Sequence, residues 1–359
     1  MGKKAVILGW YGHDNLGDEL LLDSTLKFFG KRFNYFKYQS PVNLGKDNAI
    51  NFTLESKTDL IKLIFNVILS DAIILGGGSY MRDLSSKNSL RVKLIVLFFA
   101  IITFKPIYFF GSGLGPYSFN RHSKLLKFVY SKVKFPAVRD KKSAQLYKEI
   151  CGKDALIVPD SVIWYLSEIK VDPITNGKIG FALREWHDKN MLESTSSEYE
   201  SFIKELAEYI NNSQNESQSL AIVFQNSLSD KFSCDQKVYL DANKLITSKE
   251  NNFNLKELTP DLKELVATYS EVEVIVGMRL HSLVIGAIFG KKLIAISYDP
   301  KVRSFMESIG LGEFVIEFEE FNANKLSELI AKLDKQKYNL LQNHKEGLDI
   351  LNKEYSPIS

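Results

Sequence analysis

The sequence is poor in the features on which secreted proteins depend. It has only two cysteines, Cys151 and Cys234, which lie far apart without the spacing of metal ligands. This use of cysteine indicates a reducing compartment and argues against a disulfide framework. The start, MGKKAVILGWYG, is too short and too interrupted for a signal peptide. We therefore expect a cytoplasmic protein.

The sequence also lacks a long apolar run. The longest, LIVLFFAIITF at residues 94–104, is well short of the roughly 20 apolar residues that a helix needs to cross a bilayer. We interpret this run as a buried helix. The alternative is shallow contact with the inner face of a membrane.

A strong overall charge is missing as well, since 46 basic and 43 acidic residues give a net charge of +3. We therefore expect no nucleic-acid partner. Residues 121–142, RHSKLLKFVYSKVKFPAVRDKK, are an exception, with eight Lys or Arg and one Asp. They are either a solvated helix face followed by a strand or a patch that attracts anionic lipid headgroups or a phosphorylated acceptor.

Strand-like and helix-like runs alternate along the 359 residues, a length that suits two domains. Short apolar strands, many ending in glycine and each followed by a helix, are typical of parallel sheets covered on both faces. We predict an α/β fold of two doubly wound, Rossmann-like domains facing a cleft. The predicted divisions are 1–168, a Pro/Asn/Gly-containing linker at 169–178, a second domain at 179–320, and C-terminal helices at 321–359.

Three glycine-containing loops follow strands in the first half, where open parallel sheets bind ligands. The first, GWYGHDNLGDE at 9–19, is either a polar binding loop or an ordinary turn with Asn15 or Asp18 as the helix cap. The second and third, LGGGSYMRD at 75–83 and GSGLGP at 111–116, match no dinucleotide or phosphate-loop pattern. Close packing or a tight turn is the simpler explanation for these two.

Cations follow strands in the second half. Arg184 comes directly after a strand, and GMRLHS places Arg279 and His281 at a strand-to-helix junction. Such side chains suit a small ligand with several negative charges. The alternative is an Arg279 paired with a buried carboxylate and a His281 bonded in the core. Lys301, in SYDPKVRSF, reaches the same cleft or faces solvent. Metal-ligand spacing and a GxSxG motif are both missing, which disfavours metal- or serine-dependent hydrolysis.

Taken in order, these motifs resemble the polysaccharide pyruvyl transferase family. The resemblance rests on a G-x-x-N-x-G-D-E pattern, a GGG loop, R-D-x-x-S, P-D-x, M-R-L-H and Y-D-x-K elements, here Gly12, Asn15, Gly17, Asp18, Glu19, Gly76–Gly78, Arg139, Asp140, Ser143, Pro159, Asp160, Met278–His281, Tyr298, Asp299 and Lys301. Each element is weak alone, and the ordered set over about residues 9–305 is specific.

The resemblance implies a fold like that of GT-B glycosyltransferases, phosphoenolpyruvate as co-substrate without a further cofactor or metal, and a saccharide acceptor. It implies that Arg184, Arg279 and His281 hold the donor and assist its chemistry. We add Lys301 to the donor side, with His281 as proton donor and Asp18 or Glu19 as base. Gly12, Asn15, Gly17, Glu19, Gly77 and Gly78 are expected to form the acceptor loops.

Two other functions remain open from sequence. A GT-B glycosyltransferase could place a nucleotide-sugar diphosphate in the same cationic site, because fold alone does not decide function. A non-catalytic member could act as a scaffold for polysaccharide assembly. The sequence also leaves open whether the acceptor is lipid-linked, whether the protein contacts a membrane peripherally, and whether it forms oligomers.

Overall fold

The computed structural model describes residues 2–54, 56–82, 89–115, 117, 119–172, 178–185, 197–212, 219–225, 234–247 and 253–355. The chain forms two compact units. The first comprises Met1–His13, Asp18–Tyr165 and His344–Ser359, and the second comprises Asp14–Gly17 and Leu166–Asn343. The division thus lies near the predicted linker, but the last helix belongs with the first unit and a short N-terminal segment with the second.

The first unit is built on a parallel sheet with strand order β3-β2-β1-β4-β6-β7-β8, and β5 pairs with β6. Its strands are β1 (Lys4–Leu8), β2 (Tyr35–Gln39), β3 (Ala49–Phe52), β4 (Ala72–Leu75), β5 (Gly78–Met81), β6 (Ile107–Leu114), β7 (Phe135–Val138) and β8 (Leu156–Ile157). Because β4 and most of β6 are buried on both faces, they read as continuous apolar runs in the sequence.

Helices cover both faces of this sheet. The helices of the first unit are α1 (Leu16–Phe29, whose first two residues group with the second unit), α2 (Lys57–Ile68), α3 (Ser89–Ile102), α4 (Phe119–Ser131), α5 (Lys141–Cys151), most of α6 (Ser161–Leu166) and α14 (Lys345–Tyr355). Helices α2 to α5 share one buried core with the sheet. On the other face, Phe28 of α1 packs on Phe110, Trp164 and Tyr355.

The second unit is built on a parallel sheet with strand order β11-β10-β9-β12-β13-β14. Its strands are β9 (Lys178–Ala182), β10 (Ser219–Val223), β11 (Asn254–Glu257), β12 (Val272–Gly277), β13 (Lys292–Ser297) and β14 (Val315–Glu317). Its helices are α7 (Ser197–Asn212), α8 (Gln236–Asn243), α9 (Leu262–Ser270), α10 (Leu280–Ile288), α11 (Pro300–Ser308), α12 (Ala323–Ile330) and α13 (Leu340–Asn343). Short 3₁₀ turns lie at Gly312–Phe314, Phe318–Glu320 and Leu333–Lys335.

Each sheet reverses its strand order at one place. In the first unit the reversal lies between β1 and β4, and in the second it lies between β9 and β12. Ligands of doubly wound folds bind beyond the carboxyl ends of the strands at such a reversal. The loops after these four strands contain residues 9–15, 76–77, 184 and 279, which include the predicted site positions Gly12, Asn15, Gly77, Arg184 and Arg279.

The predicted alternation of strands and helices is confirmed. The run at 94–104 falls mostly within α3, whose Leu94, Leu97 and Ala100 are fully buried. No helix among the described residues combines the length and hydropathy needed to span a membrane. Part of the predicted linker, residues 173–177, lies outside the described residues.

Candidate functional site

Arg184 and Tyr298 form the centre of a cationic cluster at the strand reversal of the second unit. Arg184 follows β9, and Tyr298 follows β13. The Arg184 Nη1 donates a hydrogen bond of 3.0 Å to the Tyr298 hydroxyl, and its guanidinium carbon lies 4.9 Å from the ring centroid. The Nζ of Lys301 lies 6.0 Å from the same ring. The structure therefore brings two of the predicted donor-binding side chains to one phenol.

The pKa of Tyr298 indicates a positive electrostatic potential around its hydroxyl. Burial raises this pKa, but the charges of Lys301, Arg184 and Arg279, with the Arg184 hydrogen bond, bring it below its ordinary value of 10. A phenol responds in this way only where positive charge outweighs negative charge in its surroundings. The cluster is thus suited to an anionic ligand.

Arg279 pairs with Asp235, and both are buried, with 8% and 0% of their surfaces exposed. The Arg279 Nε lies 3.1 Å from each Asp235 carboxylate oxygen, and its Nη2 also contacts that carboxylate. Burial raises the pKa of Asp235, and Arg279 opposes this rise. The pairing with a buried carboxylate that the sequence left open is therefore present. Donor binding by Arg279 stays a prediction.

Asp235 also fixes the end of β10. It accepts hydrogen bonds from the backbone N–H groups of Phe224, at 3.2 Å, and Gln225, at 3.0 Å. The same two residues bind the segment Asp14–Gly17. The Leu16 N–H donates to the Phe224 carbonyl at 2.9 Å, and Asn15 forms a β-bridge with Gln225. One buried carboxylate thus connects Arg279 to the backbone on which the N-terminal motif docks.

His281 lies in the first turn of α10, which Arg279 precedes at the N-cap position without a side-chain cap bond. Gly17 packs directly against it. A Cβ placed on Gly17 would come within 2.1 Å of the His281 Nδ1, far inside any allowed contact. The glycine of the N-terminal motif is required here because the imidazole occupies the space of a side chain.

Asp299 caps α11, and Pro300 is its first residue. The Asp299 carboxylate accepts a 3.0 Å hydrogen bond from the Lys301 N–H, and Pro300 occupies the first turn. The Lys301 Nζ also lies 3.4 Å from Asp299. Lys301 is half-exposed, so it keeps access to solvent and to a ligand.

The loop after β1 has a different character. Gly12 has a φ of +76°, and its N–H donates a 2.7 Å hydrogen bond to the Glu19 Oε1. Glu19 is 4% exposed, and burial raises its pKa to about 7. Asn15 caps α1 by accepting from the Gly17 N–H at 3.0 Å. The predicted loop residue Glu19 is therefore buried, whereas Asp18, a predicted base, is half-buried.

The GGG loop lies beside that loop in the first unit. A Cβ on Gly76 would come within 2.0 Å of the Tyr11 hydroxyl, and one on Gly77 within 2.3 Å of Leu21. Gly78 has a φ of +83°, a conformation that glycine tolerates best. Close packing explains Gly76 and Gly77, and the backbone conformation explains Gly78.

The R-D-x-x-S and P-D-x elements meet in the first unit. Arg139 Nη2 donates a 2.9 Å hydrogen bond to the Ser79 hydroxyl, and its Nη1 lies 3.5 Å from Asp160. Asp140 caps α5 by accepting from the Ser143 N–H at 2.7 Å. These residues link β5 to the segments that follow β7 and β8, and their contacts are those of a structural network.

An exposed aromatic pair lies next to the first loop. Trp10 lies two residues after the end of β1, and 57% of its surface is exposed. Its ring stacks on His13, with centroids 4.0 Å apart and planes 10° from parallel. A large exposed indole at the strand reversal is an unusual use of apolar surface.

Comparison with known proteins decides the family. A model of the family described as polysaccharide pyruvyl transferase matches residues 15–300. The chain belongs to this family. The amylovoran biosynthesis protein AmsJ of Erwinia amylovora is similar to this pyruvyl transferase family member, with 24% identity over 317 residues, or 84% of this chain and 71% of that protein.

Solved structures show the fold of this family member. The UDP-GlcNAc 2-epimerase from Methanocaldococcus jannaschii is similar with a TM-score of 0.63, 12% identity, and coverage of 98% of this chain and 99% of that one. The MurG structure from Acinetobacter baumannii has a TM-score of 0.53, 11% identity, and coverage of 98% of this chain and 95% of that one. These likenesses confirm the GT-B-type fold of two Rossmann-like domains.

Two residues that contact the arginines of the cationic cluster, Asp235 and Tyr298, were not predicted as site residues from the sequence. Asp235 lies in the unremarkable stretch SCDQK, and no pattern there indicates a partner for an arginine. Tyr298 was noted only as part of a motif. Its signal was the position directly after a buried strand, which is the same signal that selected Arg184. Among the described residues, no group of three or more His, Cys, Asp or Glu could hold a metal ion.

Proposed function

We propose that this pyruvyl transferase family member transfers pyruvate from phosphoenolpyruvate to two hydroxyls of a saccharide, forming a ketal. The observation that carries the proposal is the convergence of Arg184, Arg279 and Lys301 on Tyr298 at the strand reversal of the second unit. Phosphoenolpyruvate bears a phosphate and a carboxylate, and arginine binds either group with two parallel hydrogen bonds. The positive end of α10 adds to this attraction.

The proposed reaction needs a proton at the start. His281 gives a proton to the methylene carbon of phosphoenolpyruvate, and the adjacent carbon becomes electrophilic. One saccharide hydroxyl adds to that carbon and loses its proton. Phosphate then leaves, the second hydroxyl adds, and the ring closes. The products are the ketal and inorganic phosphate. Of the two hydroxyl protons, one replaces the proton that His281 gave to the methylene carbon, and the other goes to the leaving phosphate.

We place the acceptor on the first unit, beside the loop that contains Glu19 and Asp18. A buried carboxyl whose pKa is about 7 suits proton exchange with a hydroxyl, which supports Glu19 as one of the two candidate bases. Trp10 offers an exposed ring on which the apolar face of a sugar could stack. The similarity to a protein of amylovoran biosynthesis supports a polysaccharide or its precursor as acceptor.

The test is ligand-induced stabilisation followed by product analysis. Phosphoenolpyruvate should raise the melting temperature, because a ligand that binds only the folded state stabilises it. Incubation with phosphoenolpyruvate and a panel of lipid-linked saccharides should add pyruvyl groups detectable by mass spectrometry. Stabilisation by nucleoside diphosphates and not by phosphoenolpyruvate would assign the site to nucleotide-sugar transfer instead. A pocket that binds neither would favour a scaffold.

We also propose that the reaction needs no divalent metal, because the cationic side chains supply the positive charge. Activity should be unchanged after treatment with a strong chelator and removal of the chelator by gel filtration. The measurement is phosphate release in treated and untreated samples. Loss of activity that magnesium or manganese restores would contradict this part of the proposal.

A further inference from the structure

Three neighbouring helices of the first unit expose large apolar side chains on one surface. Helices α2, α3 and α4 lie side by side over the sheet. We define the α2–α4 surface by the residues exposed on these helices and directly after them, namely Ile61, Phe65, Leu69, Phe98, Ile102, Phe104 and Phe128. Phe98 and Phe128 are in contact, with ring centroids 6.0 Å apart. Apolar side chains clustered in this way mark an interaction surface.

The arrangement on α2 shows that the exposure is organised. Ile61, Phe65 and Leu69 are four residues apart and are 55%, 60% and 74% exposed. Leu63 and Val67, on the opposite side of the helix, are buried in the core. The helix is therefore apolar on two faces, and only one of these faces is covered by the protein. Folding alone does not require the second face to be apolar.

Phe104 is the most exposed of these residues, at 93%, and its backbone is in the left-handed region with a φ of +59°. It follows α3, where Lys105 N–H bonds back to the Ala100 carbonyl at 2.8 Å. Glycine usually occupies this position of a helix end because it has no Cβ penalty. A phenylalanine here therefore keeps an unfavourable backbone conformation while burying almost none of its ring.

The charges of the three helices complement an anionic partner. Their sequences contain seven basic residues and one acidic residue, Asp59. Lys124 and Lys127 are exposed on α4, next to Phe128, and Lys132 and Lys134 are exposed just beyond it. Basic residues around exposed aromatic and aliphatic side chains are typical of proteins that lie on an anionic membrane.

We propose that the α2–α4 surface binds the face of an anionic lipid bilayer, with Phe104 and Phe65 inserted among the headgroups. The lysines of α4 attract the negative surface, and the apolar side chains leave water for the interfacial region. This proposal is independent of the reaction at the cationic cluster. It explains both the uncovered apolar face of α2 and the retained strain at Phe104.

The test is flotation of the purified full-length protein with vesicles. The protein should bind vesicles of phosphatidylcholine with 30–40% phosphatidylglycerol, on the order of physiological anionic-lipid content, and bind pure phosphatidylcholine much less. Phe104→Gly should reduce the bound fraction severalfold while the melting temperature stays equal or rises, because glycine relieves the backbone strain. Phe65→Ser and the pair Lys124→Glu with Lys127→Glu should also reduce binding.

Leu240→Ser is the matched control, since Leu240 is 49% exposed on α8 of the second unit. It should bind vesicles as the unchanged protein does. A protein that ignores anionic vesicles, or a Phe104→Gly variant that binds them normally, would overturn the proposal. A third result would also overturn it: the protein does not bind vesicles, forms a dimer, and becomes monomeric on Phe65→Ser. The surface would then contact a second copy of the chain.

Discussion

Arg279 is the residue at which a structural role and a functional role compete most directly. Its contacts with Asp235 use the Nε and Nη2 groups of the guanidinium, which has five N–H donors in all. A buried ion pair of this kind fixes an arginine in one position. That position, at the N-cap of α10 and close enough to lower the pKa of Tyr298, is suitable for a second, anionic partner.

Arg279→Lys should raise the donor KM about tenfold or more, because lysine keeps the charge but loses the planar two-bond contact. The measurement is initial-rate kinetics with phosphoenolpyruvate, alongside the melting temperature. The variant should also lose some stability through Asp235. An unchanged donor KM together with a lowered melting temperature would restrict Arg279 to its pair with Asp235.

His281→Ala should lower kcat by about 10²–10⁴-fold, the usual contribution of a general acid, and change donor affinity much less. His281→Gln keeps a hydrogen-bond donor but supplies no proton, so it should be nearly as slow. The measurement is kcat per folded molecule, with the melting temperature of both variants. Near-normal turnover in the glutamine variant would reassign His281 to donor positioning, and unfolding without a catalytic defect would make it a core residue.

At the scale of elements, the first turns of α1 and α10 pack closely against each other within the second unit. Gly17 leaves the space that the His281 ring fills, and Leu16 bonds to the end of β10. A change at one helix start therefore acts on the side chain of the other.

Gly17→Ala should lower kcat at least tenfold, because the new methyl group must displace the imidazole that lies 2.1 Å from its position. Gly312→Ala is the control, since its Cβ would meet nothing closer than 3.2 Å. Both variants are compared in kcat and in melting temperature. Full activity in Gly17→Ala would show that the exact place of His281 is unimportant.

Buried strands are easier to predict from sequence than strands that are partly exposed. Six strands are mostly buried and therefore appear in the sequence as short runs of apolar residues, namely β1, β4, β6, β9, β12 and β13. By contrast, β2 alternates exposed and buried residues in YFKYQ, and β11 is mostly exposed in NLKE. Such short, polar segments gain their structure from pairing with a neighbour, so local sequence does not reveal them.

The same distinction applies to the site. Arg184, Arg279 and Lys301 were found because they follow buried strands, and parallel strands bring their carboxyl ends to one edge. Asp235 was not predicted because its partner, Arg279, is 44 residues away in the sequence. Pairings over such separations depend on the completed fold.

At the scale of the whole molecule, one buried carboxyl makes stability depend on pH. Burial raises the pKa of Glu19 from 4.5 to about 7, so the folded protein holds this proton more tightly than the unfolded chain. The free energy of unfolding therefore falls as pH rises from about 4.5 to 7 and is level above that. The difference corresponds to about 3 kcal/mol.

Glu19→Gln should remove this loss, because glutamine still accepts the Gly12 hydrogen bond and carries no charge. We expect it to be more stable than the unchanged protein at pH 8 and equally stable near pH 4.5. Denaturant unfolding at both pH values is the measurement, with Glu346→Gln, an exposed glutamate of α14, as control. An identical pH dependence in both proteins would show that Glu19 does not titrate in this range.

The membership of Asp14–Gly17 in the second unit limits how the two halves can be recombined. A C-terminal fragment that begins in the linker at residues 169–178 would contain every strand of the second sheet and still lack Asn15, Leu16 and Gly17. Its Phe224 carbonyl would lose its N–H donor, and the imidazole of His281 would lose the backbone on which it rests. Chimeras that exchange first domains between relatives should therefore retain activity only where the incoming domain brings its own glycine to this position.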